Sequence, residues 1–216
     1  MKQLTQRIAL FVIFLFAPPT LISANAQVTS TKNAHVPKVG LTVTPVGENE
    51  VIQKSLLGGP GYSGDGFYTI GAACQIPLTS RLDFETGLDY AKHNVIISPA
   101  DFSSTLYKVN VRVASIPLTV KLNFLKHFFV NGGCLLDIDL SSSSSSNSSL
   151  MIDNQDGLGA MLGVGMKYDF KFGGTLFVNP NLKCHSLVHF TTKDYRQRLL
   201  EAGIRIGFMY SLSKTP

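Results

Sequence analysis

LDFETGLDYAK, residues 82–92, is the segment that decides the fold. Leu82, Phe84, Thr86, Leu88 and Tyr90 occupy alternate positions, and acidic or small residues stand between them. A period of two places these two sets on opposite faces of a β-strand, whereas an amphipathic helix repeats about every 3.6 residues. The segment therefore predicts a strand with one apolar face and one charged face.

The same alternation returns along the rest of the chain. It appears in residues 39–44, 68–76, 106–124, 128–139, 157–169, 176–189 and 200–210. Together with residues 82–92 these segments predict an all-β protein, an eight-stranded antiparallel up-and-down transmembrane β-barrel.

Segment 106–124 contains one defect in the pattern. Its apolar residues stand at odd positions up to Val113 and at even positions from Ile116 onward. We interpret the change as a β-bulge near Ala114 and Ser115, where one extra residue would restore the register. Pro117 fits a local break in the hydrogen-bond ladder. Two separate strands are the alternative, although no Gly, Asn or Asp turn signal lies between them.

The predicted connections alternate in length. Short turns lie around Leu78–Arg81, Leu125–His127 and Lys171–Gly174, and longer links lie at about 47–65, 94–105, 141–156 and 191–198. The third link contains a run of serines at 141–149, which predicts a surface loop. Short turns on one side and long loops on the other are typical of outer-membrane barrels, whose long loops face the outside of the cell.

Aromatic residues indicate which face meets lipid. Folding the strands up and down places one aromatic row at each rim of the apolar face, with aliphatic residues between, as a bilayer interface selects. The long-loop row is Tyr68, Tyr90, Tyr107 and Phe190, and the short-turn row is Phe84, Phe124, Phe128, Tyr168, Phe170, Phe208 and Tyr210. The apolar face is therefore predicted to point outward. A soluble periplasmic lipid-binding barrel, with its apolar face inside, is an alternative.

The opposite face then lines the barrel interior with charges of both signs. Eight strands leave an interior that side chains fill, and unpaired charges there would be costly, so we expect a paired, hydrogen-bonded plug. The predicted interior charges are Asp83, Glu85, Asp89, Asp137, Asp139, Asp169 and Glu201 with Lys108, Arg112, Lys121, Lys167, Lys183 and Arg205.

The first 26 residues have the pattern of an export signal. Lys2 and Arg7 precede an apolar run at 8–17, two prolines end it, and Ala24-Asn25-Ala26 offers a cleavage site. The run is shorter than the roughly 20 residues that a membrane-spanning helix needs. We therefore predict a signal peptide at 1–26, a barrel domain at 27–216 and location in the outer membrane. The expected partners are the lipid bilayer and the barrel-assembly machinery.

Composition gives little sign of other partners or chemistry. The 19 basic and 14 acidic residues are scattered, which argues against a nucleic-acid partner. Three cysteines, Cys74, Cys134 and Cys184, lack the spacing of a metal site, and we place them on apolar strand faces. The glycines at 157–165 lack the strand–turn–helix context of a nucleotide-binding loop, so no cofactor is predicted.

One short cluster resembles catalytic chemistry. His185, Ser186 and His189 lie close in sequence, but strand parity puts Ser186 on the lipid face and both histidines inside, where the pair cannot meet. The two histidines with Asp137 also lack a metal-ligand spacing. We predict no catalytic, cofactor or metal residues. The predicted protein is non-enzymatic, with structural, adhesive or ligand-contacting loops; an outer-membrane lipid-modifying enzyme is the alternative.

Three segments resemble a known family. They are Ser115-Ile116-Pro117-Leu118 with Lys121-Leu122-Asn123-Phe124, the segment FFVNGG at 128–133, and Ala202-Gly203-Ile204-Arg205-Ile206-Gly207. They are similar to the outer-membrane β-barrel domain family common in Bacteroidetes, which includes PorT-like proteins. The resemblance covers about 38–212 and implies a barrel fold without general catalytic residues. PorT-like members are linked to protein secretion, which these segments do not assign to this chain.

Overall fold

The computed structural model describes residues 36–53, 59–99, 106–141, 152–190 and 197–212. The predicted signal peptide at 1–26 and most of the serine run at 141–149 lie outside these ranges, so both stay predictions. In the described ranges, no helix has the length and apolarity needed to cross a membrane.

The described residues form one closed antiparallel barrel. Each strand pairs with the next along the chain, and the last pairs with the first, so the ring has no free edge. Within the described ranges the eight strands are β1 (Lys38–Ile52), β2 (Gly61–Pro77), β3 (Leu82–Ser98), β4 (Tyr107–Asn123), β5 (Phe128–Asp139), β6 (Gly157–Asp169), β7 (Gly174–His189) and β8 (Arg198–Ser211). The predicted strand number and order are confirmed.

The orientation of the side chains is also as predicted. Leu88 on β3 and Ile206 on β8 are 57% and 37% exposed, whereas Glu85 and Arg205 on the same strands are 1% and 3% exposed. In the half of the barrel nearer the short turns, apolar side chains thus point outward and charged ones point inward. This orientation contradicts the alternative of a soluble barrel with an apolar interior.

Strand β4 differs from the prediction. It pairs with β3 from Leu82 opposite Leu122 to Ile97 opposite Tyr107 in one constant register, and its pairing with β5 is equally regular. The predicted bulge near Ala114 and Ser115 is therefore wrong. Odd-numbered residues of β4 face inward, so Val111 and Val113 are buried. Tyr107 pairs with the buried Ile97 and shares its face, so its predicted place in the outward aromatic row is wrong.

The exchange of apolar positions along β4 has another cause. Near the end that carries the long loops, the interior holds an apolar cluster of Val51, Val95, Val111, Val113 and Leu199. The outward positions there carry polar residues, so Lys108 and Arg112 point outward and their predicted interior placement is wrong. This part of the barrel has the apolar-inside pattern of a protein in water.

Strand length explains why both patterns occur in one barrel. Strand β3 has 17 residues. At about 3.3 Å per residue and a tilt of about 40°, it rises about 40 Å, whereas the lipid-facing apolar band of an outer-membrane barrel is about 25 Å tall. The strands therefore extend beyond the band. The links predicted at 47–65 and 94–105 accordingly belong partly to β1, β2 and β3.

Irregularities occur at other places than the one predicted. The β1–β2 register shifts between Thr44 and Gly47, and the β1–β8 register shifts between Val43 and Gly47. The β6–β7 register shifts beside Ser186, which has a positive φ of 50°, a conformation uncommon for a residue other than glycine. This irregularity turns Ser186 inward, where it is fully buried. Its predicted lipid-facing position is wrong.

Candidate functional site: the buried charges of the barrel interior

The inward face of β3 shows how the interior is layered. From the short-turn end to the long-loop end, the buried side chains are Asp83, Glu85, Asp89, the small Ala91, His93 and then Val95 with Ile97. Acidic residues thus occupy the membrane half, a histidine follows, and apolar residues complete the column. The charged residues of the other strands gather around this column at two levels.

The first level is a network around Glu85. Arg205 Nη1 of β8 lies 2.6 Å from Glu85 Oε1, and Lys121 Nζ of β4 lies 3.0 Å from Glu85 Oε2. Lys121 also donates to Gln75 Oε1 at 3.0 Å, and Gln75 Nε2 donates to Asp83 Oδ2 at 2.7 Å. We call these five residues the Glu85 network. Its members come from β2, β3, β4 and β8, so it links opposite walls of the barrel.

Aromatic side chains support the Glu85 network at the short-turn end. Lys121 Nζ lies 4.6 Å from the ring centre of Phe129 and 5.0 Å from that of Phe177. The two rings meet edge to face, with Ala73 and Met209 completing a buried apolar cluster. A cation over a desolvated aromatic face is attracted by the ring quadrupole. The arrangement holds the Lys121 ammonium between Glu85 and the aromatic layer.

The second level is a network around two histidines. His185 Nε2 lies 2.7 Å and His93 Nε2 lies 2.9 Å from the same atom, Glu201 Oε1. Lys183 Nζ lies 3.2 Å from Asp89 Oδ2 and 3.9 Å from Glu201 Oε2. His185 Nδ1 lies 3.0 Å from Asp137 Oδ1. We call His93, His185, Glu201, Asp137, Asp89 and Lys183 the histidine network, and every member is buried.

Two serines fix Asp137 in the histidine network. The Ser115 hydroxyl donates to Asp137 Oδ1 at 2.6 Å, and the backbone N–H of Ser186 donates to Asp137 Oδ2 at 3.3 Å. The hydroxyl of Ser186 donates to the carbonyl of Gln155. The irregularity in β7 thus serves to bring a backbone donor to a buried carboxylate. Ser186 Oγ makes no hydrogen bond to His93 or His185, so it lacks the base that a serine nucleophile needs.

Three members of the histidine network are of metal-ligating type. One ligand atom each of His93, His185 and Glu201 lies within 4.8 Å of the others. Two imidazoles and a carboxylate are a donor set that zinc accepts. Here Glu201 already contacts both imidazoles and is approached by the Lys183 ammonium. The geometry suits a hydrogen-bonded ion cluster, and the absence of a metal ligand set stays a prediction.

The structure brings together some predicted interior charges and separates others. Glu85, Asp89, Asp137, Glu201, Lys121, Lys183 and Arg205 meet in the two networks. Asp169 binds Lys38 near the exposed short-turn rim, and Asp139 accepts hydrogen bonds from the backbone of Ser141 and Gln155 near the long loops. His93 was missed by sequence reasoning, since it directly follows the predicted end of its strand.

The remaining predictions concern single residues. The three cysteines lie on β2, β5 and β7 as free thiols, as expected. Glycines of β6 face inward, where a Cβ at Gly163 would lie 2.5 Å from Asn179 Oδ1 and 2.8 Å from Asn131 Oδ1. They make room for interior side chains, as expected for a narrow barrel.

Comparison with known proteins agrees with this architecture. A family model described as outer membrane protein beta-barrel domain matches residues 36–215. The chain belongs to this family. Among curated proteins, none matches the chain significantly.

Two solved barrels share the fold of this outer-membrane barrel. The crystal structure of the outer membrane protein OprG from Pseudomonas aeruginosa has a TM-score of 0.52 and 13% identity, covering 84% of this chain and 98% of that chain. The solid-state NMR structure of the outer membrane protein AlkL in DMPC lipid bilayers has a TM-score of 0.52 and 13% identity, covering 90% of this chain and 100% of that chain. At this identity the likeness concerns the fold.

Family membership gives the two networks their setting. The protein lies in the outer membrane, so its outward apolar face meets hydrocarbon and its interior charges are removed from both lipid and bulk water. Buried charges in such a place must be satisfied by one another. What the arrangement can do chemically is therefore to cross-link the barrel walls from within.

Proposed function

We propose that this outer-membrane barrel is a closed, non-enzymatic anchor that presents extracellular loops to ligands or surfaces outside the cell. The observation that carries the proposal is the continuous filling of the interior. The aromatic layer, the Glu85 network, the histidine network and the apolar cluster near the long loops succeed one another along the axis, all built from buried side chains.

The filling argues against conduction. A water-filled path would expose the charges along it, yet Glu85, Lys121, Lys183 and Glu201 are each 2% exposed or less. Opening such a path would require several buried ion pairs to separate together, and breaking even one is strongly unfavourable. A barrel of eight strands has an interior that side chains can fill, in contrast to the wider porins.

The protruding end favours the presentation of loops. Beyond the lipid-facing band, the apolar cluster around Val113 gives the barrel a core of its own, with polar residues facing water. At this end the connections at 53–60, 99–106, 140–156 and 190–197 are longer than the turns at the other end. Functional contacts concentrate on loops that a rigid scaffold holds. We infer that the long-loop end faces the outside of the cell.

Two findings weigh against the enzymatic alternative. Ser186 is buried behind the histidine network, and its hydroxyl is bound to the carbonyl of Gln155. A lipid-modifying enzyme needs its nucleophile at the lipid boundary beside a base. Family membership supports the same conclusion. If lipid hydrolysis is nevertheless detected, Ser186→Ala and His189→Ala should leave it unchanged.

Conductance across a planar bilayer tests the closed interior. The mature chain, refolded in detergent and checked for a compact band in unheated gels, should add no current steps to those of a protein-free bilayer. Proteoliposomes should likewise retain an entrapped small sugar as long as empty liposomes do. Regular current steps or rapid sugar loss would overturn the proposal of a closed anchor.

Labelling of whole cells tests the orientation. In a background with Ala at 74, 134 and 184, Ser145→Cys in the serine run should react with a membrane-impermeant maleimide from outside. Lys126→Cys, on the short turn between β4 and β5, is the matched control and should react only after lysis. The reverse pattern would show the long loops in the periplasm.

Two finer assignments stay predictions. Insertion by the barrel-assembly machinery is proposed because the barrel must be closed before all its backbone groups are paired in lipid. A PorT-like role rests on the resemblance of three short segments alone. Accumulation of unfolded chain in cells depleted of the assembly machinery would support insertion by that machinery.

A further inference from the structure

The outward face of β3 and β4 carries two cations directly beyond the lipid-facing band. Going toward the long loops, outward positions on β3 change from Leu88 and Tyr90 to Lys92. On β4 the corresponding change is from Ala114 to Arg112. Lys92 and Arg112 stand directly opposite each other in the β3–β4 register. On its other side, Lys92 lies opposite Tyr68, a member of the long-loop aromatic row.

Placing two cations opposite each other is unfavourable without a partner. Side chains at opposite positions of neighbouring antiparallel strands have Cβ atoms about 5 Å apart, and like charges there repel. In the described residues, neither Lys92 nor Arg112 has an ion pair, whereas nearby Lys108 lies 3.0 Å from Asp65 Oδ2. None of the described residues supplies the anion that the Lys92–Arg112 pair calls for.

The height of the pair indicates where that anion lies. Lys92 is two residues beyond Tyr90, which corresponds to about 7 Å along the strand. Aromatic rows mark the level where hydrocarbon gives way to headgroups, and long basic side chains near that level extend toward the headgroups. The two charged ends thus lie at the level of lipid phosphates.

The chemistry of the pair suits a phosphate. A guanidinium can donate two parallel hydrogen bonds to phosphate oxygens, and an ammonium adds a compact charge beside it. The wall formed by β1 differs, because its outward positions at this end carry Glu48 and Glu50. Charge therefore favours an anion at the β3–β4 wall over the β1 wall.

We propose that Lys92 and Arg112 bind the phosphate group of an anionic lipid in the external leaflet of the outer membrane. One phosphate placed between the two side chains removes their repulsion and fixes a lipid headgroup against β3 and β4. The inference rests on the orientation under the proposed function, since it assigns the long-loop end to the external leaflet.

Binding of a phosphorylated lipid by variants of the refolded barrel tests the site. The barrel is placed in phosphatidylcholine bicelles, diphosphoryl lipid A is titrated in, and bound lipid is counted by native mass spectrometry. Lys92→Gln with Arg112→Gln should weaken binding about 25-fold, because each basic residue near an anionic lipid surface contributes roughly fivefold. Inorganic phosphate at millimolar concentration should not compete, since the lipid is also held by its chains.

The control variant loses the same two positive charges, but at the short-turn end of the barrel. Arg81→Gln with Lys126→Gln also removes one Arg and one Lys, from two exposed short turns, and should alter binding less than twofold. An equal loss in both double variants would show a general charge effect and would overturn the site. Unchanged binding in the Lys92–Arg112 variant would overturn it as well.

Two further readouts keep the test decisive. Both double variants should migrate as compact unheated bands, and if the first does not, Lys92→Gln alone with an expected fivefold loss replaces it. The bicelle measurement does not depend on which way the barrel faces in cells. Failure of lipid binding therefore leaves the orientation and the closed interior intact, and a reversed orientation would leave the lipid site in place at the opposite leaflet.

Discussion

At the scale of single residues, the barrel depends on how its buried charges are shared. Lys183 lies between Asp89 and Glu201, so one ammonium serves two carboxylates. Burying a charge costs several kcal/mol, which its partners must offset through close contacts. Removing a shared cation leaves two buried carboxylates with one partner fewer, which is worse than losing an isolated pair.

Lys183→Met therefore should destabilise the barrel strongly. The methionine fills a similar volume but leaves Asp89 and Glu201 without the ammonium, and we expect the free energy of unfolding to fall by about 3–5 kcal/mol. Urea titration of the refolded protein in detergent micelles, followed by gel mobility, measures this loss.

An exposed pair provides the control for Lys183. Lys108→Met breaks an ion pair of similar length with Asp65, but the two side chains are 73% and 41% exposed. Exposed pairs contribute about 1 kcal/mol or less, so the urea concentration at the unfolding midpoint should hardly change. Equal effects of both substitutions would contradict the role of burial.

Neighbouring glycines on β5 give a second prediction at this scale. A Cβ at Gly133, which faces inward, would lie 2.2 Å from the backbone oxygen of Leu118, whereas a Cβ at Gly132, which faces outward, would meet the end of Leu162 at 3.3 Å. Gly133→Ala should cost about 1–3 kcal/mol, because the backbone of β4 has to move. Gly132→Ala should change the free energy of unfolding by less than about 0.5 kcal/mol. The same urea titration compares the two variants. A larger loss of stability in Gly132→Ala than in Gly133→Ala would reverse the faces assigned to the two glycines.

At the scale of strands, β4 shows where sequence reasoning reaches its limit. Its alternation predicts a strand correctly. The exchange of apolar residues from odd to even positions, however, has two explanations that the sequence alone does not separate. An inserted residue reverses the side chains, whereas a change of surroundings from lipid to water reverses which residues are favoured on each side. The regular register from Tyr107 to Asn123 shows that the surroundings change.

Cysteine accessibility along β4 distinguishes the two explanations. In the background without native cysteines, Arg112→Cys should react with a water-soluble maleimide in the folded barrel, because its position points outward beyond the lipid band. Val113→Cys should stay unreactive until the protein is unfolded, since Val113 is 0% exposed. Protection at 112 in the folded barrel would restore the bulge, because the bulge places residue 112 inside the barrel.

Strand β7 shows the opposite kind of limit. Its true irregularity lies at Ser186, a position where the apolar pattern gives little warning. The conformation is stabilised by contacts with Asp137 on β5 and Gln155 before β6, both far away in sequence. Positions fixed by such distant contacts cannot be read from local periodicity. For this reason the predicted lipid-facing Ser186 is wrong while the strand around it is correct.

At the scale of the whole molecule, alternation and loop lengths suffice for the barrel but not for its interior. Parity places Glu85, Arg205 and Lys183 inside correctly. It does not say that Arg205 meets Glu85, which is 120 residues away, or that His93 shares Glu201 with His185. Those pairings depend on the stagger of the closed ring, which joins β8 to β1 and so fixes the height of every interior residue.

Ring closure leads to the last prediction. Deleting residues 198–216 removes β8 and leaves the facing edges of β1 and β7 without partners. Unpaired backbone groups in lipid cost several kcal/mol each, and Glu201 and Arg205 leave both interior networks at the same time. The intact chain, refolded in detergent, should run faster on gels before boiling than after, whereas the shortened chain should lose this difference. Deleting residues 143–149 removes part of a loop outside all eight described strands and should preserve it. A compact unheated band from the chain without β8 would show that seven strands can close into a barrel. In that case the interior pairs would not depend on the stagger of the eight-stranded ring.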